Sequence, residues 1–209
     1  MRALIEQRLA ERQPLDTSRE RMLANVVGEV SAELLALMDQ STRQAAVLLG
    51  LVERREGLQL LFTERATHLT HHPGQISFPG GRLEDSGESP VDAALREAWE
   101  EVRLDPRDVA VAGCLDLHAT GTGFSVTPVV GFIPNSFEPQ ADPAEVSEIF
   151  EVPLAYVLDG ANFEVSYRQR FGSRFRVYEL HYGRHRIWGA TASMLVTFRE
   201  TICEDGSIG

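Results

Sequence analysis

Residues 80–104 read GGRLEDSGESPVDAALREAWEEVRL, and this stretch decides the fold. The pattern predicts a helix entered at Ser89 as N-cap, with Pro90 at the first helical position and Asp92 near the positive end of the helix dipole. Val91, Ala94, Leu95, Ala98 and Val102 fall on one arc of a 3.6-residue helix and are expected to face a core. Glu97, Glu100 and Glu101 share an adjacent face. An ExxEE run is compatible with an ordinary solvated acidic face, where like charges cost only about 0.2–0.5 kcal/mol per exposed pair. The flanks favour more. Phe78-Pro79-Gly80-Gly81 can make a tight turn beside the helix, and Arg96 can hold a neighbouring carboxylate with two bonds. Carboxylates clustered beside a glycine turn suit hard divalent cations such as Mg2+ or Mn2+.

The stretch resembles the Nudix box, G-x5-E-x7-R-E-U-x-E-E-x-G-U with U aliphatic. Gly81 stands as the first glycine and Glu88 as the spaced acid, followed by Arg96, Glu97, Ala98, Glu100, Glu101 and Leu104. Two positions depart from it. Six residues separate Gly81 from Glu88, which lengthens the loop and leaves the helical acids in register. Arg103 stands where the box has glycine, which removes the usual left-handed helix stop. The resemblance implies an α/β Nudix fold, with a mixed β-sheet sandwiched between helices and the box helix against it. An N-terminal helical extension, 1–42, would precede a hydrolase domain, 43–203.

Composition fits a soluble globular chain of 209 residues that is 43% hydrophobic. The net charge of −11 argues against nucleic acid or an acidic membrane as partner. All 20 basic residues of the Lys+Arg total are arginines, which excludes a Schiff-base lysine and a P-loop lysine. Phosphate must then be met by arginine, backbone N–H groups or metal. Cys114 and Cys203 make neither a metal-ligand spacing nor a disulfide framework, and a reducing cytoplasm fits. No leader-like or 18-residue apolar run is apparent.

Residues 1–13 read as a short helix ended by Pro14. Residues 17–38 read as one longer helix with an apolar stripe of Met22, Val26, Val30, Leu34, Leu37 and Met38, expected to pack on the body or across a homodimer. Residues 45–52 and 58–63 flank Glu53–Gly57 as a hairpin. Residues 109–117 and 124–133 read as strands, 134–143 as a loop, and 148–158 as a short helix interrupted by Pro153. Residues 163–170 and 174–182 alternate as a hairpin around Gly172, and 191–200 close the chain as a helix.

A second resemblance narrows the family. Residues 61–81 resemble the coenzyme A pyrophosphatase motif L-L-T-x-R-[SA]-x3-R-x3-G-x3-F-P-G-G, matched by Thr63, Arg65, Ala66, Gly74 and Phe78 to Gly81. Phe62 replaces a leucine, and Thr70 stands where the family has arginine. His71 and His72 are candidates to compensate, or ordinary loop residues. Residues 120–131, 145–154 and 187–192 resemble further segments of the same family. There Phe124 and Trp188 read equally as core aromatics or as stacking surfaces.

This resemblance implies metal-dependent cleavage of the pyrophosphate of coenzyme A or its derivatives to 4′-phosphopantetheine and adenosine 3′,5′-bisphosphate. Glu97, Glu100 and Glu101 are the expected Mg2+ or Mn2+ ligands, with Arg96 orienting them and Glu100, Glu101, Glu145 or Glu148 as candidate base. Arg65, His71, His72, Gly80 and Gly81 are the expected substrate-binding residues. A pyrophosphatase for ADP-ribose, NADH or a dinucleoside polyphosphate is the alternative, and a noncatalytic nucleotide sensor the second one.

Overall fold

The computed structural model describes residues 1–10, 12–40, 42–70, 72–84 and 87–203. In chain order the elements are α1 (Arg2–Ala10), α2 (Ser18–Ala24), β1 (Val26–Val27), α3 (Ala32–Met38), β2 (Arg43–Arg54), β3 (Gly57–Arg65), β4 (Ile76–Ser77), β5 (Gly80–Arg82) and α4 (Pro90–Val102). They continue as β6 (Ala110–Cys114), β7 (His118–Ala119), β8 (Phe124–Ile133), β9 (Val146–Pro153), α5 (Leu154–Leu158), β10 (Phe163–Arg170), β11 (Ser173–Tyr182), β12 (His185–Trp188) and α6 (Ala190–Ile202).

The large sheet runs β4-β3-β2-β8-β6, with β5 on β2, β7 on β8 and β9 on β3. Among the described residues only β2 and β8 pair in parallel within it, so the sheet is mixed. Its central strands read as near-continuous apolar runs because both faces are covered. On one face Ala46, Leu48, Val52, Leu61, Val129 and Ile133 pack against Ala94, Ala98 and Val102 of α4. On the other, Ala45, Leu49, Leu51, Phe62, Val126 and Val130 join Ile5 and Leu9 of α1 and Leu195 and Phe198 of α6. Side chains alternating at period 2 divide between the two cores. The result is the expected mixed sheet between helices. A smaller sheet, β1-β11-β10 with β12 on β11, lies beside it.

The box helix begins where the sequence indicates. Ser89 Oγ accepts the N–H of Asp92 at 3.1 Å. At the other end Arg103 itself adopts the left-handed conformation, φ 60°, and its N–H donates to the Trp99 carbonyl at 3.1 Å. Arginine thus does the work of the missing glycine at the cost of some backbone strain.

Three expectations are corrected. Residues 17–38 are two short helices with a strand between them. Asn25 closes α2, the β-branched pair Val26-Val27 joins the edge of β11 opposite Phe175 and Arg174, and Gly28 turns at φ 88° before Ser31 caps α3. Residues 146–153 are a strand paired with β3, and the helix starts only after Pro153. The strand expected over 109–117 is β6 alone, 110–114, with a separate short β7 after it. Among the described residues no helix is long and apolar enough to cross a membrane.

Candidate active site

The site forms where β5 crosses the box helix. Gly80 and Gly81 pair with Val47 and Ala46 of β2. A β-carbon on Gly80 would lie 2.4 Å from the Ala46 carbonyl oxygen, so only glycine lets the two backbones meet. A β-carbon on Gly81 would lie 2.3 Å from Glu97 Oε1. The bare backbone there is the seat of the Glu97 carboxylate.

Arg96 ties the acids together. Its Nε and Nη2 donate to both oxygens of Glu88 at 2.8 and 3.1 Å, and its Nη1 donates to Glu97 at 3.0 Å and to half-exposed Glu100 at 3.4 Å. Nη2 also reaches the Arg82 carbonyl at 3.0 Å, which fixes the loop to the helix. The planar fork suits this two-sided grip. Glu88 is held below the usual carboxylate range chiefly by that bond, and the arginine is stabilised in its charged form chiefly by Glu88.

Glu101 lies deeper, 4% exposed, and its Oε2 has no hydrogen-bond partner among the described residues. Burial first, then the charges of Glu97 and Glu145, push its carboxyl up to about 8, with Arg65 and the Gly80 N–H opposing. Glu97 is pushed up by burial, opposed by Arg96 and reinforced by Glu100 and Glu145. Desolvation and like charge thus disfavour the ionised forms of the same two residues.

Glu145 reaches this cluster from the turn before β9, where its carbonyl accepts the Ala66 N–H at 2.8 Å beside Arg65. The structure therefore brings together Arg65, Gly80, Gly81, Arg96, Glu97, Glu100, Glu101 and Glu145. His72 stands on the exposed turn after β3, where its carbonyl accepts the Gln75 N–H at 3.2 Å; His71 and its candidate role lie outside the described residues. Thr70 is exposed on the same turn. Glu148 faces the other way. It lies opposite Glu64 on the face of the sheet away from α4, bonded to Arg184 at 2.5 Å and His185 at 3.3 Å.

Two features escape sequence reasoning. Rings stack in sequence from Phe78 through Phe62 and Phe150 to His185, with centroid separations of 5.0, 5.5 and 3.7 Å. The stack anchors the glycine turn to the sheet, and it needs β3, β9 and β12 in register to exist. The Glu88–Arg96 clamp spans eight positions, a distance with no helical meaning because the loop intervenes. The box pattern itself is the only signal for it.

The donor set fits a hard divalent cation. An orphaned, buried carboxylate oxygen on Glu101, two further acids and a glycine seat that leaves Glu97 room are what such an ion requires. Without one, Arg96 and protonation of Glu101 are left to relieve the like charge.

Comparison with known proteins agrees. The sequence profile of the NUDIX domain matches residues 42–171. The protein named "Uncharacterized Nudix hydrolase NudL" from Enterobacter sp. (strain 638) is 44% identical over 153 residues, 73% of this chain and 79% of that one. Its namesake from Salmonella paratyphi B is 45% identical over the same shares. A solved Nudix hydrolase from M. smegmatis, RenU, is similar at 24% identity and a TM-score of 0.48, over 57% of this chain and 76% of that one. Nudix enzymes generally use divalent metal ions. The chain belongs to the Nudix family and is an enzyme of it, a Nudix hydrolase.

Proposed function

We propose that the enzyme cleaves the pyrophosphate bond of coenzyme A or its derivatives, releasing 4′-phosphopantetheine and adenosine 3′,5′-bisphosphate, with Mg2+ or Mn2+. The observation that carries the metal-dependent pyrophosphatase reading is the buried Glu101 carboxylate against Glu97 and Glu145 at the Gly80–Gly81 turn, with one of its oxygens unpartnered among the described residues. The coenzyme A assignment rests on the motif positions Thr63, Arg65, Ala66, Gly74 and Phe78 to Gly81.

Glu97, Glu100 and Glu101 would hold the cation, which when bound supplies charge neutralisation at the pyrophosphate and a lowered water pKa. The chain's own residues do the rest. Arg96 positions Glu97 and Glu100 and keeps the Glu88 loop closed over the helix. Arg65, beside the acids, would bind the substrate's phosphate oxygens, while Gly80 lets β5 lie against β2 and Gly81 seats Glu97 at the substrate turn. Glu145 is our candidate to take the water's proton, since it is the acid that comes from outside the box helix. The Val27, Val30 and Leu35 side chains on the N-terminal segment are each 37–40% exposed, which supports a homodimer. Two free cysteines are in keeping with a cytoplasmic setting.

Thr70 favours a second reading. A missing motif arginine weakens recognition of coenzyme A phosphates and keeps ADP-ribose, NADH or a dinucleotide as substrate. A panel of coenzyme A, acetyl-coenzyme A, NADH and ADP-ribose, each with Mg2+ or Mn2+ and product identification, tests both. Our reading expects the highest kcat/KM on the coenzyme A pair. A higher value on ADP-ribose or NADH replaces it with the second.

A further inference from the structure

A cavity of about 560 Å³ opens between α2, the β7–β8 turn, the small sheet and the start of α6. That volume falls in the range of small-molecule sites, about 300–1,000 Å³. It does not belong to the acidic cluster. The side chains of α6 pack in the core on one face of the large sheet, and those of the box helix pack on the other.

Its chemistry is opposite in sign to the rest of the chain. The protein carries 31 acidic residues against 20 basic ones, yet the described residues lining the cavity include Arg21, Arg168, Arg170 and Arg176 and no Asp or Glu. Arg21 is committed to Glu200 at 3.0 Å and Asp116 at 3.6 Å. The others are loosely held. Arg168 reaches Glu179 only at 4.0 Å, where Arg186 already sits at 2.6 Å. Arg170 gives one N–H to the Gly121 carbonyl at 3.1 Å and lies 4.7 Å from the Phe171 ring centroid, and the Arg176 side chain makes no hydrogen bond or ion pair among the described residues.

The strand register sets an aromatic beside these cations. Arg168 pairs with Phe175, Ser166 with Val177, Arg170 with Ser173 and Glu179 with Trp188, so Arg168, Arg170, Phe175, Val177, Glu179 and Trp188 share one sheet face and Arg176 lies on the other. Trp188 lines the cavity and remains 37% exposed, with the Arg186 guanidinium 5.3 Å from its ring centroid. The first turn of α6 follows at Gly189 without a side-chain cap, adding the positive end of a helix dipole. The Thr120-Gly121 and Trp188-Gly189 segments, which the acidic site leaves unused, meet here.

We infer that this cavity is a second binding site, separate from the acidic cluster, for a nucleoside phosphate, with phosphate on Arg168 and Arg170 and the base against Trp188. The inference does not rest on the identity of the hydrolysed substrate. Trp99 and Trp188 are the only tryptophans, so Trp99→Phe leaves Trp188 as a local reporter. The full chain with Trp99→Phe, in a chelator, is titrated with adenosine 3′,5′-bisphosphate while Trp188 fluorescence is read. Added Arg168→Gln and Arg170→Gln substitutions should weaken binding about tenfold or more, at about 1.4 kcal/mol per decade. The same charge change at exposed Arg55 and Arg107, each to Gln, should leave it unchanged. Inorganic pyrophosphate, which has charge and no base, should compete at least about tenfold less well. No saturable change in Trp188 fluorescence, or equal affinity with and without the two cavity arginines, overturns the site. Equal competition by pyrophosphate overturns the nucleoside assignment. Circular dichroism of each variant separates lost binding from lost folding, and if the double variant unfolds, the single Arg168→Gln at an exposed position carries the test.

Discussion

The carboxylate of Glu97 rests on the backbone of Gly81, so close that a β-carbon there would stand 2.3 Å from Glu97 Oε1. Gly81→Ala must therefore displace the carboxylate rather than the helix, whose packing lies on another face. Misplacing a site group by about 1 Å can cost about 10²-fold in rate. We expect kcat to fall by about that factor while the melting temperature moves little. Wild-type kcat in a folded Gly81→Ala protein would mean that Glu97 is not needed where it sits.

The Glu101 carboxyl, pushed up to about 8 by burial and by Glu97 and Glu145, makes metal binding proton-linked. At about pH 7 the group is largely protonated without metal, and a cation must displace roughly one proton. Calorimetry in two buffers of different ionisation enthalpy should show that release at pH 7 and its loss by about pH 9. The stability of the metal-free protein follows the same group. Its folded value lies above the ordinary 4.5, so the contribution is fully present below that pH and is lost as pH rises through about 8. Glu101→Gln should remove this component of the decline in melting temperature. A decline of unchanged size would place the raised group elsewhere.

The N-terminal segment is part of the core through Ile5 and Leu9, which are 0% and 2% exposed. Leu9 packs against β6 at Gly113, where an added β-carbon would sit 3.0 Å from its own. Leu9→Ala should cost about 2–5 kcal/mol of stability by urea denaturation. Deleting residues 1–40 should impair folding outright. A loss under about 1 kcal/mol for Leu9→Ala would mean that α1 docks only loosely.

Thr70 lies on the exposed turn between the motif residues Ala66 and Gly74. If an arginine there would meet a substrate phosphate, Thr70→Arg adds a charge-assisted bond worth about 1.5–3 kcal/mol. KM for coenzyme A should fall roughly 10- to 150-fold, with a smaller change for dephospho-coenzyme A if the 3′-phosphate is contacted. Equal KM values before and after, on both substrates, would show that this turn does not face the phosphates.

The box helix was legible because its signals are local. Ser89, Pro90 and the 3.6-residue apolar arc define its start and register, and the register alone puts Glu97, Glu100 and Glu101 on one face. The β2–β3 hairpin was legible for the same reason, with Gly57 turning the chain. Residues 17–38 were not, because helical spacing of the stripe competes with a pairing to Phe175 that lies far along the chain. Helix propensity loses to the edge of β11 once Gly28 permits the turn. The different settings of Glu145 and Glu148 were equally hidden. They depend on the register of β9 on β3 and on its irregularity between Glu64 and Arg65, which no local pattern records. The arginine cavity draws on segments scattered from Ser18 to Ser193 and exists only in the folded chain.

The most direct test of the account compares wild type with Glu101→Gln on coenzyme A at saturating Mg2+ or Mn2+, with products identified by mass. Glutamine keeps the shape and helix propensity and deletes one ligand charge. Wild type should release 4′-phosphopantetheine and adenosine 3′,5′-bisphosphate, and a folded Glu101→Gln should turn over more slowly by orders of magnitude. Near-normal turnover by the variant, or no cleavage of coenzyme A by wild type, would contradict it.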